Sequence, residues 1–462
     1  MMNHKRIFFS VLPLVCMLIF TLGCSSVKNK LFNDHQMNEL GLGFKLNQKT
    51  LDNGLHIILV EDHTVPLIEY QTWVNVGSVD ERFGMTGMAH LFEHLMFKGS
   101  ENYGPRAFFN TLESRGANVN AYTTRDYTVF HETFVPDLLD DVIRLESDRL
   151  KGLRLSNEVL FTEREVVYEE RRLRTDSSPD GRMQEEVWAL SFEAHPYRWP
   201  VIGYPEDLAR LTVKDLESFF KTYYQPANVT LVVVGAFDSL TLFEKIKSAY
   251  GDIPGREKIK RQIIPEPEQL KPRRKIIYDR VSSEKIVMTY PITSASEKDT
   301  HALDVLSTIL FTGSSSRANR RLFEEKHLVL GVSGMAFTPK YPGLFFVQGT
   351  LQKGKTSEDF EKEIEALFTE VAKTGITEEE LQKAVRKLTI ETVNMVRTAH
   401  GLAGLLGTVH TILGDAEKYK DDLSKYHRVT REQVQSVLTK YLDKNKKNVV
   451  VMKPLSKQRQ GQ

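Results

Sequence analysis

A chain of 462 residues is too long for one ordinary hydrophobic core and sets an expectation of about two to four domains. Its 41% hydrophobic and 27% charged residues are those of a folded soluble protein, and a net charge of +1 gives no reason to expect nucleic acid as a partner. The basic runs at 271–275 and 444–447 read as solvated surface, and no stretch beyond the N-terminus is long and apolar enough to span a bilayer.

The first element in chain order is a targeting segment. Lys5 and Arg6 precede an apolar run over 7–22, and Gly23 stands directly before Cys24. Together these features resemble a bacterial lipoprotein signal, although Thr21 fills a position at which such signals prefer Leu. The resemblance implies that residues 1–23 are removed, that Cys24 is lipidated, and that a lipid anchor holds the protein at a membrane. It implies a place in the bacterial cell envelope facing the periplasm, and Ser25 after the cysteine favours the outer membrane. Cys16 would leave with the signal, so no thiol remains for a disulfide.

Residues 24–45 are polar and read as a tether. The stretch 50–60 then reads as strand, Asn-Gly turn and strand, and 67–76 as a further strand. Next come residues 87–97, predicted to be helical. On a helix His90, Glu93 and His94 project from one face, so two imidazoles one turn apart can share Zn²⁺ with a carboxylate beside them. The pattern is H-x-x-E-H, and it needs a third ligand from elsewhere. Helical spacing follows at 105–114, a strand at 118–124 paired with 128–135, and a helix at 137–150. A charged helix over 157–175 gives way to a loop at 177–181 before a helix over 183–192. Within the charged helix Glu163 and Glu170 are seven apart and share a face, while Glu165 and Glu169 point elsewhere; spacing alone does not choose among them. An irregular region spans 195–207, Thr212 caps an amphipathic helix, and 228–235 holds a buried strand. Residues 253–272, rich in Pro, Glu and Lys, read as a linker.

The second half repeats the first. Thr430 stands 218 residues after Thr212 in matching context, and the same offset lays 286–296 on 68–78. The expected fold class is α+β: two homologous domains over 46–252 and 273–455, each a mostly antiparallel sheet packed with helices, with a tail at 456–462. At that offset Thr308, Phe311 and Thr312 stand where His90, Glu93 and His94 do, so the second domain is expected to lack ligands.

These residues resemble the pitrilysin/insulinase-type zinc metallopeptidases, the inverzincins, which include the mitochondrial processing peptidase. The matched features are the 90–94 motif, a glutamate 76 residues after its second histidine, the 120–128 strand, His195-Pro196-Tyr197, and Tyr223-Tyr224 through Gly235; the likeness covers about 45–455. The resemblance implies one zinc ion per chain held by His90, His94 and Glu170, with Glu93 as general base and Glu163 as a supporting acidic residue. It implies that substrate adds to the strand carrying Asn120, Ala121 and Tyr122, as an extended backbone. The expected activity is endopeptidase cleavage of extended or unfolded peptides in a dimeric chamber. Relatives of this length often carry an Arg and a Tyr that grip substrate, but Phe323 or Glu324 and Leu330 or Gly331 fill those places here. The expected assembly is therefore a heterodimer with a non-catalytic homologue that carries the pair, ahead of a homodimer. The rival function is a non-catalytic scaffold or assembly subunit of a membrane-associated complex.

Overall fold

The computed structural model describes residues 42–455. The expected signal, Cys24, most of the tether and the tail lie outside the described residues. Within them the chain forms two sheets of the same plan. The first contains β1 (Asn47–Thr50), β2 (His56–Glu61), β3 (Ile68–Val74), β4 (Asn118–Thr123), β5 (Thr128–Phe134) and β6 (Val229–Gly235), in the order β1-β2-β6-β3-β5-β4. The second contains β7 (Arg273–Asp279), β8 (Lys285–Pro291), β9 (Val329–Phe337), β10 (Leu344–Leu351) and β11 (Asn448–Pro454), in the order β7-β11-β8-β10-β9. Each has a single parallel pair, β2 with β6 and β7 with β11, and is otherwise antiparallel. The α+β duplication is thus present strand for strand, with β1 added to the first half.

Seven helices matter below. They are α1 (Met88–Leu95), α2 (Asn157–Arg171), α3 (Pro179–Ser191) and α4 (Val213–Tyr223) in the first half, then α5 (Thr300–Phe311), α6 (Ala399–Leu413) and α7 (Arg431–Tyr441) in the second. Thr212 and Thr430 each cap their helix in a reciprocal capping box, with Asp215 and Gln433 as the returning side chains. Two expectations shift. The loop after the charged helix is shorter, because Ser178 caps α3 and Pro179 is its first residue, where a missing N–H costs nothing. The duplication also slips. Val233 pairs with Tyr70, whereas its counterpart Val451 pairs with Ile286, so the offset of 218 on β6 falls to 216 on β3; Tyr70 pairs with Glu132 and Ile286 with Gly349, which puts β5 at 217. The sequence match of 68–78 with 286–296 is therefore two residues out of register with the sheets, and the second half carries one extra residue between β8 and β10.

The strongly apolar strands follow from burial on both faces. One face of the first sheet packs on its own helices through Tyr70, Phe130, Leu231 and Val233. The other face, through Ile58, Trp73, Val129 and Val232, is covered by Leu402, Ala403, Leu406 and Val409 of α6, which comes from the second half. The exchange is mutual, since Met183, Val187 and Trp188 of α3 cover Val287, Phe346, Val450 and Met452 of the second sheet. The linker runs without helix or strand across 254–272 and is pinned to the first half, where Arg261 pairs with Asp80 at 2.6 Å and Glu266 accepts the N–H groups of 193–195.

The α6 seam tolerates no added bulk. A Cβ on Gly407 would fall 2.0 Å from the buried Trp73 indole, while one on Gly404 meets nothing within 4 Å. Gly407→Ala should therefore cost about 1–3 kcal/mol in urea unfolding. Gly404→Ala should be neutral or gain about 0.5–1 kcal/mol from helix propensity. Equal effects of the two would contradict this packing.

Candidate metal centre

The start of α1 is fixed by partners distant in sequence. Gly87 has φ +86°, and a Cβ there would lie 2.7 Å from Ile202 O; a Cβ on Gly203 would lie 2.5 Å from Gly87 Cα. Two backbones thus touch, and the site needs glycine at both places. The exposed N–H groups at the helix start find buried carboxylates. Gly87 and Ala89 donate to Glu81 at 2.9 and 2.8 Å, and Thr86 donates to Asp207 from its N–H at 3.2 Å and its hydroxyl at 2.7 Å. Met88, Leu91, Phe92 and Leu95 are buried in the core, and His90, Glu93 and His94 lie along the remaining face.

A second helix completes the set. Ser156 caps α2 by accepting the Val159 N–H, and Leu160, Glu163, Val167 and Glu170 form its inward stripe at helical spacing. Leu160 and Val167 share a core with Leu91 and Leu95, which brings Glu170 Oε2 to 3.6 Å from His90 Nε2 and 3.3 Å from His94 Nε2. Glu163 sits behind the histidine: its Oε2 is 3.8 Å from His94 Nδ1, and its Oε1 is 3.0 Å from Lys98 Nζ. Arg174 holds the other oxygen of Glu170 at 2.7 Å. Glu169 turns outward, 54% exposed, and binds Arg172. Glu93 accepts a 2.7 Å hydrogen bond from the Thr123 hydroxyl at the end of β4.

Two imidazoles and a carboxylate, with donor atoms within 4.8 Å of one another, fit zinc. Separations of 3.3 and 3.6 Å are close to the ~3.3 Å edge of a tetrahedron with bonds of about 2.0–2.1 Å. Burial pushes His90 down to about 4, aided by the neighbouring His94, so its imidazole is neutral. Burial also opposes charge on His94, but Glu163 and Glu170 outweigh it and push that group up to about 9. The hydrogen bond from His94 lowers Glu170. Burial raises Glu93 above the ordinary carboxylate range, against the Thr123 hydrogen bond, which suits a residue that must take up a proton.

The remaining expected residues fall as follows. Asn120, Ala121 and Tyr122 lie on β4, the free edge of the first sheet next to Thr123 and Glu93. In the second half Thr308 and Phe311 are on α5 and Thr312 is just past its end, with no ligand triad there among the described residues. Phe323 and Glu324 lie in the short π-helix Asn319–Glu325, Leu330 is exposed on the edge strand β9, and nearby Arg317 is bound by Glu380 at 2.7 Å. Lys98, Thr123, Arg174 and Glu81 were not anticipated. Arg174, four after Glu170 on the same helical line, carried a local signal; Thr123 and Glu81 carried none.

Glu170→Ala should abolish stoichiometric zinc uptake by the apo chain and Glu169→Ala should leave it intact, with metal content measured after dialysis. Glu163→Gln should weaken zinc by about 10–100-fold without removing it. A second check uses protons. With His94 pushed up to about 9, the apo site holds a proton at pH 7.5, and zinc must displace it. Calorimetry in buffers of different ionisation heat should show proton release at pH 7.5 and less above pH 9. Because the folded value lies above the ordinary imidazole value of 6.5, the apo chain gains stability from this group below about 6.5. It should lose that gain as pH rises through 9, whereas the zinc-loaded chain should not.

Comparison with known proteins agrees with this geometry. Residues 56–203 match the family model described as insulinase (peptidase family M16), and residues 210–388 match the model described as the peptidase M16 inactive domain. The zinc protease PqqE of Helicobacter pylori is 28% identical over 449 residues, covering 96% of this chain and 98% of that protein. The probable mitochondrial-processing peptidase subunit beta of Arabidopsis thaliana is 23% identical over 263 residues, 56% of this chain and 49% of that protein. The crystal structure of a protease from Helicobacter pylori superposes with a TM-score of 0.85 at 28% identity, covering 89% of this chain and all (100%) of that one. The chain belongs to peptidase family M16, the insulinase family.

Proposed function

We propose that the protein is a zinc-dependent endopeptidase acting on extended or unfolded peptides, with His90, His94 and Glu170 holding one zinc ion. The observation that carries this reading is the meeting of that donor set with a raised-pKa carboxylate, Glu93, beside the free edge of β4. Zinc bound there supplies a Lewis acid that polarises the peptide carbonyl and lowers the pKa of water to about 7. Glu93 takes the proton of the attacking water and returns it to the leaving amine. Glu163 places a negative charge 3.8 Å from His94 Nδ1, and Arg174 holds the outer oxygen of Glu170 at 2.7 Å. A substrate strand added along Asn120, Ala121 and Tyr122 is read by its main chain, which suits unfolded peptides of varied sequence. Thr123 ties this edge to Glu93.

The assembly and location belong to the same proposal. Among the described residues the donor set lies in the first half, and a chamber around it would be closed by another chain. Leu330 or Gly331 fills the Tyr place and Phe323 or Glu324 the Arg place, which supports a heterodimer with a non-catalytic homologue over a homodimer. The 1–24 segment supports a lipid anchor at Cys24 on the periplasmic side of a bacterial envelope, outer membrane before inner. Among the described residues no helix is long and apolar enough to cross a membrane.

The test is cleavage of a quenched, unstructured peptide by the solubilised full chain, with and without its co-purified partner. Wild type should cut and be stopped by chelator, while Glu93→Gln should keep its zinc and lose about 10²–10⁴ in rate. Equal rates for the two, or zinc-replete wild type that never cuts with its partner present, would favour a scaffold subunit instead.

A further inference from the structure

A second cluster lies across the first sheet from the zinc motif. Glu69 and Gln71 of β3 and His131 of β5 share the sheet face that holds Trp73 and Val129, the face covered by α6. On that helix His400 comes forward, so its Nδ1 is 2.8 Å from Glu69 Oε1, and His131 Nδ1 is 3.8 Å from the same oxygen. All three donor atoms lie within 4.8 Å of one another.

Several features distinguish this group from an incidental ion pair. Glu69 is wholly buried, yet its carboxylate is oriented by two side chains, Gln71 at 2.8 Å on Oε1 and Thr133 at 2.5 Å on Oε2. Gln71 is itself fixed by the Trp73 indole N–H at 2.9 Å and donates to the His400 carbonyl at 3.3 Å. His131 Nδ1 is buried without a hydrogen-bond partner, a nitrogen aimed at the carboxylate and left unsatisfied. His400, its side chain 52% exposed, leaves an open path from solvent.

We propose that Glu69, His131 and His400 form a second divalent transition-metal site that ties the two halves of the chain together. The donor set selects a borderline cation such as Zn²⁺ or Co²⁺ over Mg²⁺ or Ca²⁺. Two ligands come from the first sheet and one from the helix lent by the second half, so occupancy clamps α6 onto β3 and β5. Asn120 lies opposite His131 in the register, which puts this clamp one strand in from the edge strand β4.

The test is equilibrium dialysis of the full chain against Co²⁺ alone, with metal counted per chain and folding checked by circular dichroism. Wild type should bind two. His90→Ala/His94→Ala should bind one, and adding His400→Ala and His131→Gln should take the count to zero. Co²⁺ should raise the melting temperature of the His90→Ala/His94→Ala chain, and His400→Ala, at an exposed position, should erase that rise. A count of zero for folded His90→Ala/His94→Ala overturns the proposal whether or not the first site binds. So does a second metal that survives loss of His131 and His400.

Discussion

One helix turn can supply two imidazoles but not a third donor, and the site depends on a second helix being held at one height against the first. Leu160 and Val167 of α2, packed with Leu91 and Leu95 of α1, set that height. A slide of one residue along α2 is about 1.5 Å and would also turn Glu170 by about 100° away from the histidines. Both helices therefore have to be anchored, and the anchors are costly ones. The buried Glu81, its pKa pushed well up by burial, and Asp207 take the N–H groups at the start of α1, while the paired glycines 87 and 203 let two backbones touch.

The same logic runs outward. Each sheet has both faces covered because each half lends the other a helix, α6 to the first sheet and α3 to the second. That exchange leaves β4 and β9 as matching free edges, of which only β4 runs beside a carboxylate poised to accept a proton. Duplication thus gives two scaffolds of one plan, and the donor set makes them unequal.

What was legible in the amino-acid sequence was local or periodic. His90, Glu93 and His94 declare themselves within one turn, the Thr212 and Thr430 caps within four residues, and the strand matches through a constant offset. The choice of Glu170 over Glu169 was not decided by spacing. It follows from which stripe of α2 faces α1, and the structure turns Glu169 out to Arg172. The two-residue slip of β3 against β6 was hidden because an ungapped comparison cannot place an insertion. The helix exchange was hidden too, since the apolar face of 399–413 says that it is buried but not on which sheet. The contact of Glu69 with His400 joins positions 331 apart, beyond any local pattern.

In the proposed site the two histidines of α1 and Glu170 of α2 share one zinc ion. Anomalous diffraction at the zinc edge from crystals of the zinc-loaded chain tests it directly. The expected result is a peak about 2.0–2.2 Å from His90 Nε2, His94 Nε2 and Glu170 Oε2 together. A peak at the α1 histidines with Glu170 turned away, or no peak between the two helices, would contradict it.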